Sequence, residues 1–253
     1  MIKLIKILKE ATSSPKAIFL AGPAGAGKSF ISKQLPLSDF SVINVDDTYE
    51  ELLKASGMGM NQKDFTPDQL SKAASLMAQA TKVTKEKFAK EAENSNNMII
   101  DGTGGASKPL LKKKQELEDL GYKTMMLMVW VSPITSLERN AKRDRSLLPS
   151  IVIRNWRDIN KNIDTYKQAF GDNFIIVNND PTEGVEKHYN PEEIKKRFFD
   201  TAKAKGKDKS PEEMAKIQAE TDQINKDIQQ LINQTPEFTS INDAKSKIKQ
   251  FLS

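Results

Sequence analysis

The chain has 253 residues, of which 38% are hydrophobic and 29% charged, and its formal net charge is +5. That composition suits one soluble α/β core with an appendage, and the small basic excess favours an anionic ligand without marking a nucleic-acid binder. The absence of cysteine excludes disulfides, thiolate metal sites and cysteine nucleophiles, and no segment approaches the uncharged length of a membrane span.

From the amino end, Ile2, Ile5 and Leu8 recur at helical spacing among Lys3, Lys6 and Lys9. This predicts a short amphipathic helix docked on the core and not a signal peptide, so a cytoplasmic location is expected. Apolar runs at Ala17–Ala21, Ser41–Val45, Asn97–Asp101, Lys123–Val131 and Asn173–Val177 read as strands. Helical stretches starting near Lys28, Thr48, Pro67, Ser107, Ser132 and Pro149 alternate with them. The alternation predicts a P-loop-type α/β fold, a doubly wound, mainly parallel sheet with helices on both faces.

The first strand runs directly into Gly22-Pro23-Ala24-Gly25-Ala26-Gly27-Lys28-Ser29, which matches the full phosphate-loop spacing. Glycines let backbone N–H groups approach phosphate oxygens, Lys28 reaches the β- and γ-phosphates, and the Ser29 hydroxyl suits magnesium. ATP or GTP with Mg²⁺ is therefore the expected ligand pair. The second strand leads into Asn44-Val45-Asp46-Asp47-Thr48. Asp46 there would accept a proton from an attacking hydroxyl, and the alternative for this stretch is helix capping by Asp47 or Thr48.

The third strand closes on Asp101-Gly102-Thr103-Gly104, where the carboxylate would support magnesium or merely bond a tight turn. After the fourth strand, Arg139 and Arg143 stand four apart, one helix face that would clamp phosphate oxygens or else simply be solvated. With Ser146–Pro149 and a following helix bearing Arg154 and Arg157, this stretch reads as a lid.

The motifs GPAGAGKS (22–29), NVDD (44–47), IIDGTG (99–104) and RNAKR (139–143) together resemble the kinase domain of bacteriophage polynucleotide 5′-hydroxyl kinases. More broadly they resemble the zeta-toxin-like small kinases, over roughly residues 15–180. The resemblance implies Asp46 as general base, Arg143 as the lid arginine reaching the transferring phosphate, Arg139 near the nucleotide, and Lys28 and Ser29 on the triphosphate and magnesium. Where polynucleotide kinases of this kind carry an arginine shortly after the base, this chain reads Thr48-Tyr49-Glu50-Glu51.

Past Val177, Asn178–Gly184 is turn-rich and the remainder is lysine-rich and helix-prone, with helices expected at Pro211–Gln234 and Ser240–Leu252. Residues 1–184 are thus expected to form a kinase-like domain and 185–253 a helical extension, which would pack on the core, pair with a second subunit or bind a protein partner. The function expected is phosphoryl transfer from a nucleoside triphosphate to a hydroxyl of a small molecule or nucleic-acid end. An ATPase, or a partner-binding or virion-associated module without an acceptor, is the alternative.

Overall fold

The computed structural model describes residues 14–60, 65–181, 191–204, 210–234 and 236–253. The amino-terminal helix expected at 1–10 and the single histidine, His188, lie outside these residues.

Strand β1 (Lys16–Ala21) enters the phosphate loop, and α1 (Lys28–Lys33) follows it. Then come β2 (Ser41–Ile43), α2 (Val45–Ala55), α3 (Pro67–Glu93), β3 (Met98–Asp101), α4 (Ser107–Asp119) and β4 (Lys123–Trp130). The order continues with α5 (Pro133–Ala141), α6 (Pro149–Lys161), α7 (Ile163–Phe170), β5 (Phe174–Asn178), α8 (Pro191–Ala204), α9 (Pro211–Asn233) and α10 (Ile241–Leu252). The five strands form one sheet in the order β2-β3-β1-β4-β5, and each neighbouring pair is parallel. From β1 the chain first builds β2 and β3 on one side and later β4 and β5 on the other. The crevice above the carboxyl end of β1 is therefore the switch point where open α/β sheets bind ligands.

Alternation along the strands divides the core between the two faces. Phe19, Met126, Met128 and Trp130 point to a layer holding Val152, Ile153, Trp156, Ile194, Phe198, Ile224 and Ile228. Ile18, Leu20, Leu127, Val129 and Ile175 point to the opposite layer with Ile31, Ala244, Ile248 and Phe251. Seven of the eight residues of β4 are buried, as a central parallel strand covered on both faces requires. Both tryptophans are core residues: Trp156 Nε1 donates to the Val131 carbonyl at 2.7 Å and Trp130 Nε1 to Asn160 Oδ1 at 2.9 Å. A third, smaller cluster, Tyr49, Leu53 and Ala80 with Met58, Met60 and Met77, sits between α2 and α3.

The helices beyond residue 185 lie on both faces of this sheet, α8 and α9 against α6 and α10 against β5. Their apolar sides are thereby taken up, and any partner of α9 or α10 would meet their polar sides. Ile224, Ile228, Ile248 and Phe251 are 8% exposed or less, and at about 2 kcal/mol each their burial rivals the about 5–15 kcal/mol net stability of a typical domain. Deleting residues 210–253 is accordingly expected to give insoluble protein or a strongly lowered melting temperature. An unchanged melting curve for the truncated chain would show that the sheet stands without these helices.

Two expectations are corrected here. The helix after β2 starts at Val45 and is capped by Asn44, whose side chain accepts from the Asp46 N–H at 2.8 Å; neither Asp47 nor Thr48 is the cap. Asn44 is the residue that still has an extended backbone just before the first helical residue, so its side chain can reach forward to the free N–H of Asp46. The lid reading of α6 also fails, because Arg154 pairs with Glu220 and Arg157 with Asp158 and Asp227. Lys161 joins Asp227 at 2.5 Å, so α6 is clamped to α9 and is not poised over the crevice.

Candidate active site

A cleft of about 350 Å³ opens over the carboxyl end of β1 and is walled by residues 23–29, Asp46, Asp101, Arg139 and Arg143, a volume within the range of small-molecule sites. Gly22 lies at its base, where its carbonyl accepts from Lys28 Nζ at 3.1 Å. Asn44, Asp47, Glu50, Thr103, Arg145 and Leu147 complete the wall.

Two of the loop's glycines show why its conformation depends on them. Gly25 and Gly27 have φ of +78° and +81°, and a Cβ on Gly25 would come within 2.6 Å of the Ser136 carbonyl oxygen. Side chains from two other segments hold the loop from outside: Ser136 Oγ donates to the Ala24 carbonyl at 2.5 Å and Asn179 Nδ2 to the Ala26 carbonyl at 2.8 Å. Tying carbonyls outward in this way leaves the inner side of the loop to its N–H groups, the arrangement that suits an anion. Arg139 in turn donates to the Asn179 carbonyl at 3.0 Å, so Asn179 joins the loop to α5.

The α2 side of the lining is an acidic wall. Asp46 is the second residue of α2 and does not close β2; its side chain is 59% exposed, and Asp47 and Glu50 share the same helix. Asp101 ends β3 at the cleft floor, with Lys28 Nζ 3.9 Å from its Oδ1 and Asn44 Nδ2 donating to its Oδ2 at 3.0 Å. The Oδ1 atom is buried and accepts no hydrogen bond among the described residues. Burial pushes Asp101 up to a pKa of about 6, Lys28 pulls it down, and Asp47 and Asp46 push it up again. Asp47 is also raised, by burial first and then by Glu50, Asp46 and Glu51.

The cationic residues divide differently from the expected helix face. Helix α5 ends at Ala141, so Arg139 sits in its last turn, whereas Arg143 lies beyond it in an exposed bend. Both nevertheless border the cleft. Arg145, two residues further, was not singled out by sequence, yet it is only 9% exposed and bonds both Asp46 and Glu50. The Glu50 that stands where an arginine was sought is thus the partner of an arginine from another segment. Asn44, quoted only within the NVDD motif, and Asn179, one of two asparagines in a turn-rich stretch, were likewise given no role.

The family model of the zeta toxin matches residues 3–203. The chain belongs to the zeta toxin family. No curated protein matches it. Among solved structures, this zeta toxin family chain is similar to AvrRxo1-ORF1:-ORF2 with ATP, at 12% identity and TM-score 0.54 over 90% of this chain and 83% of that one. The same complex with sulphate ions matches at 11% identity and TM-score 0.53, over 90% and 83%. A structure from the PezAT chromosomal toxin–antitoxin system of the human pathogen Streptococcus pneumoniae matches at 16% identity and TM-score 0.48, over 92% and 95%. Fold and family are those of P-loop phosphotransferases, which carry out nucleotide-dependent phosphoryl transfer. Among the described residues no helix is long and apolar enough to cross a membrane.

The raised Asp101 has a stability consequence. Its pKa of about 6 lies above the ordinary 3.8, so folding favours the protonated form. The stability it contributes is complete below pH about 4 and is lost as pH rises through about 6. Asp101→Asn removes that penalty and is expected to raise the melting temperature at pH 7.5 by a few degrees when neither nucleotide nor metal is added. A thermal scan showing the substituted chain less stable than the parent would contradict this balance.

Proposed function

We propose that the protein transfers the γ-phosphoryl group of ATP, or of GTP in its place, to a hydroxyl of a second substrate. The observation that carries this reading is the lining of one cleft, which brings the glycine loop, Lys28, Arg139 and Arg143 together with Asp46, Asp47 and Glu50 of α2. A simple triphosphate site needs only the loop and the cations. The carboxylates of α2 supply what an acceptor hydroxyl requires.

In this reading the loop N–H groups and Lys28 hold the β- and γ-phosphates, and Arg139 lies on the nucleotide side. The acceptor O–H attacks the γ-phosphorus, a new P–O bond forms as the bond to the β-bridging oxygen breaks, and the nucleoside diphosphate leaves. Asp46 takes the hydroxyl proton, and Arg143 faces the charge that develops on the transferring group. The residues fit magnesium, since Asp101 offers a buried oxygen that accepts no hydrogen bond among the described residues and Ser29 a hydroxyl in the same cleft. Bound there, the ion would neutralise phosphate charge.

The acidic wall also bears on the acceptor. Carboxylates accept hydrogen bonds from hydroxyls and repel phosphate, so the reacting end of the acceptor is best read as rich in hydroxyls. A nucleotide-sugar fits that description better than a nucleotide or a polynucleotide 5′ end, where phosphate is close to the reacting oxygen. The test is label transfer from γ-labelled ATP to UDP-sugars, nucleosides and 5′-hydroxyl oligonucleotides offered separately. Label in a UDP-sugar supports this acceptor class, and label confined to oligonucleotides would overturn it in favour of a polynucleotide kinase of bacteriophage type.

A further inference from the structure

Arg145 belongs to the segment between α5 and α6, but its guanidinium is spent entirely on α2. Its Nε donates to Glu50 Oε1 at 2.9 Å, a terminal nitrogen donates to Asp46 Oδ1 at 2.8 Å, and the group stands 5.7 Å from the centre of the Tyr49 ring. Positions 46, 49 and 50 form one stripe of a helix, so a single planar fork engages both carboxylates and the ring between them. Burial by itself would lower the guanidinium pKa. The hydrogen bond to Glu50 and the charge of Asp46 outweigh burial and raise it.

The two acids are not equivalent. The Glu50 side chain is 27% exposed and that of Asp46 59%, so Glu50 is the anchor and Asp46 keeps much of its carboxylate open to the cleft. Without Arg145, Asp46 and Glu50 would stand beside Asp47, whose carboxyl both already push up, and Asp46 near Asp101 as well. Mutual repulsion would then turn the flexible carboxylates outward.

We propose that Arg145 is a positioning residue, fixing the Asp46 carboxylate at the acceptor edge of the cleft and tying segment 142–148, which carries Arg143, to α2. Base and phosphate-facing cation are thereby set relative to each other by one ion-paired joint. The inference rests on the phosphoryl-transfer reading, but the joint itself can be measured without any acceptor.

Because the chain has no cysteine, Lys54→Cys on α2 and Lys142→Cys before the joint, both exposed positions, give a uniquely spin-labelled pair in the full-length protein. The labelled protein with Arg145 should show one narrow distance distribution, Arg145→Gln a broad or displaced one, and Arg145→Lys an intermediate one, since lysine keeps the charge but loses the fork. In transfer from γ-labelled ATP to whichever of UDP-sugar, nucleoside or 5′-hydroxyl oligonucleotide takes label in the parent, Arg145→Gln should lower kcat on the order of a hundredfold. The KM for ATP should stay within about threefold, and Arg145→Lys should recover part of kcat. An unchanged narrow distribution in Arg145→Gln overturns the joint, and a broadened distribution with parental kcat overturns the positioning of Asp46. Should the glutamine variant fail to fold, the lysine variant decides on the same two readouts. If no acceptor takes label even from the parent, the phosphoryl-transfer reading has failed, and the distance measurement alone rules on the joint.

Discussion

Asp46→Asn is expected to reduce acceptor phosphorylation by roughly two to four orders of magnitude, the usual contribution of a positioned general base. The amide keeps the size of the carboxylate and can still accept from Arg145, but it takes no proton from the attacking hydroxyl. Helix α2 should be unaffected, because its cap is the Asn44 side chain bonded to the backbone N–H of residue 46 and not to the carboxylate. Nucleotide affinity should persist. Asp101→Asn separates base from metal support: its transfer should recover as magnesium is raised, whereas that of Asp46→Asn should not. Near-parental turnover by Asp46→Asn would remove the general base from the account, and a raised magnesium requirement in that variant would reassign Asp46 to the metal.

Lys28→Ala is expected to weaken ATP binding on the order of a hundredfold, as loss of one or two charge-assisted hydrogen bonds to phosphate implies. The fold should survive, because among the described residues Nζ donates to the Gly22 carbonyl at the cleft base and stands 3.9 Å from Asp101 Oδ1, contacts that belong to the cleft and not to the apolar core. Its ionic neighbour Asp101 would lose its nearest cation, so the substituted protein should also ionise Asp101 at higher pH. Calorimetric titration with ATP and magnesium measures the first effect, and equal affinity in parent and variant would contradict the assignment of Lys28 to the phosphates.

Much of the architecture was legible because it is written in local patterns. Alternating apolar runs located all five strands to within a few residues, and the helix expected to start near Pro67 does start there, opened by a capping box of Thr66 and Gln69. The phosphate loop was legible for the same reason, since glycine spacing and strand–loop–helix context are contiguous in sequence. What escaped was set by partners far along the chain. Arg154 and Arg157 looked free for a ligand because Glu220 and Asp227, which bind them, lie more than sixty residues later. Nothing near Glu50 in sequence announces its partner, because Arg145 lies 95 residues away. The end of α5 before Arg143 is a local event, but the sequence continues with residues that tolerate helix, and only the bend at 142–145 breaks the expected face.

The fate of the γ-phosphoryl group tests the central claim most directly. Full-length protein, γ-labelled ATP, magnesium and a mixture of UDP-sugars, nucleosides and 5′-hydroxyl oligonucleotides are incubated together, with labelled product and inorganic phosphate followed in parallel. The account predicts label in an acceptor, formed by the parent and nearly abolished by Asp46→Asn, while phosphate release stays minor. Label appearing only as inorganic phosphate, at the same rate with and without the mixture, would contradict it.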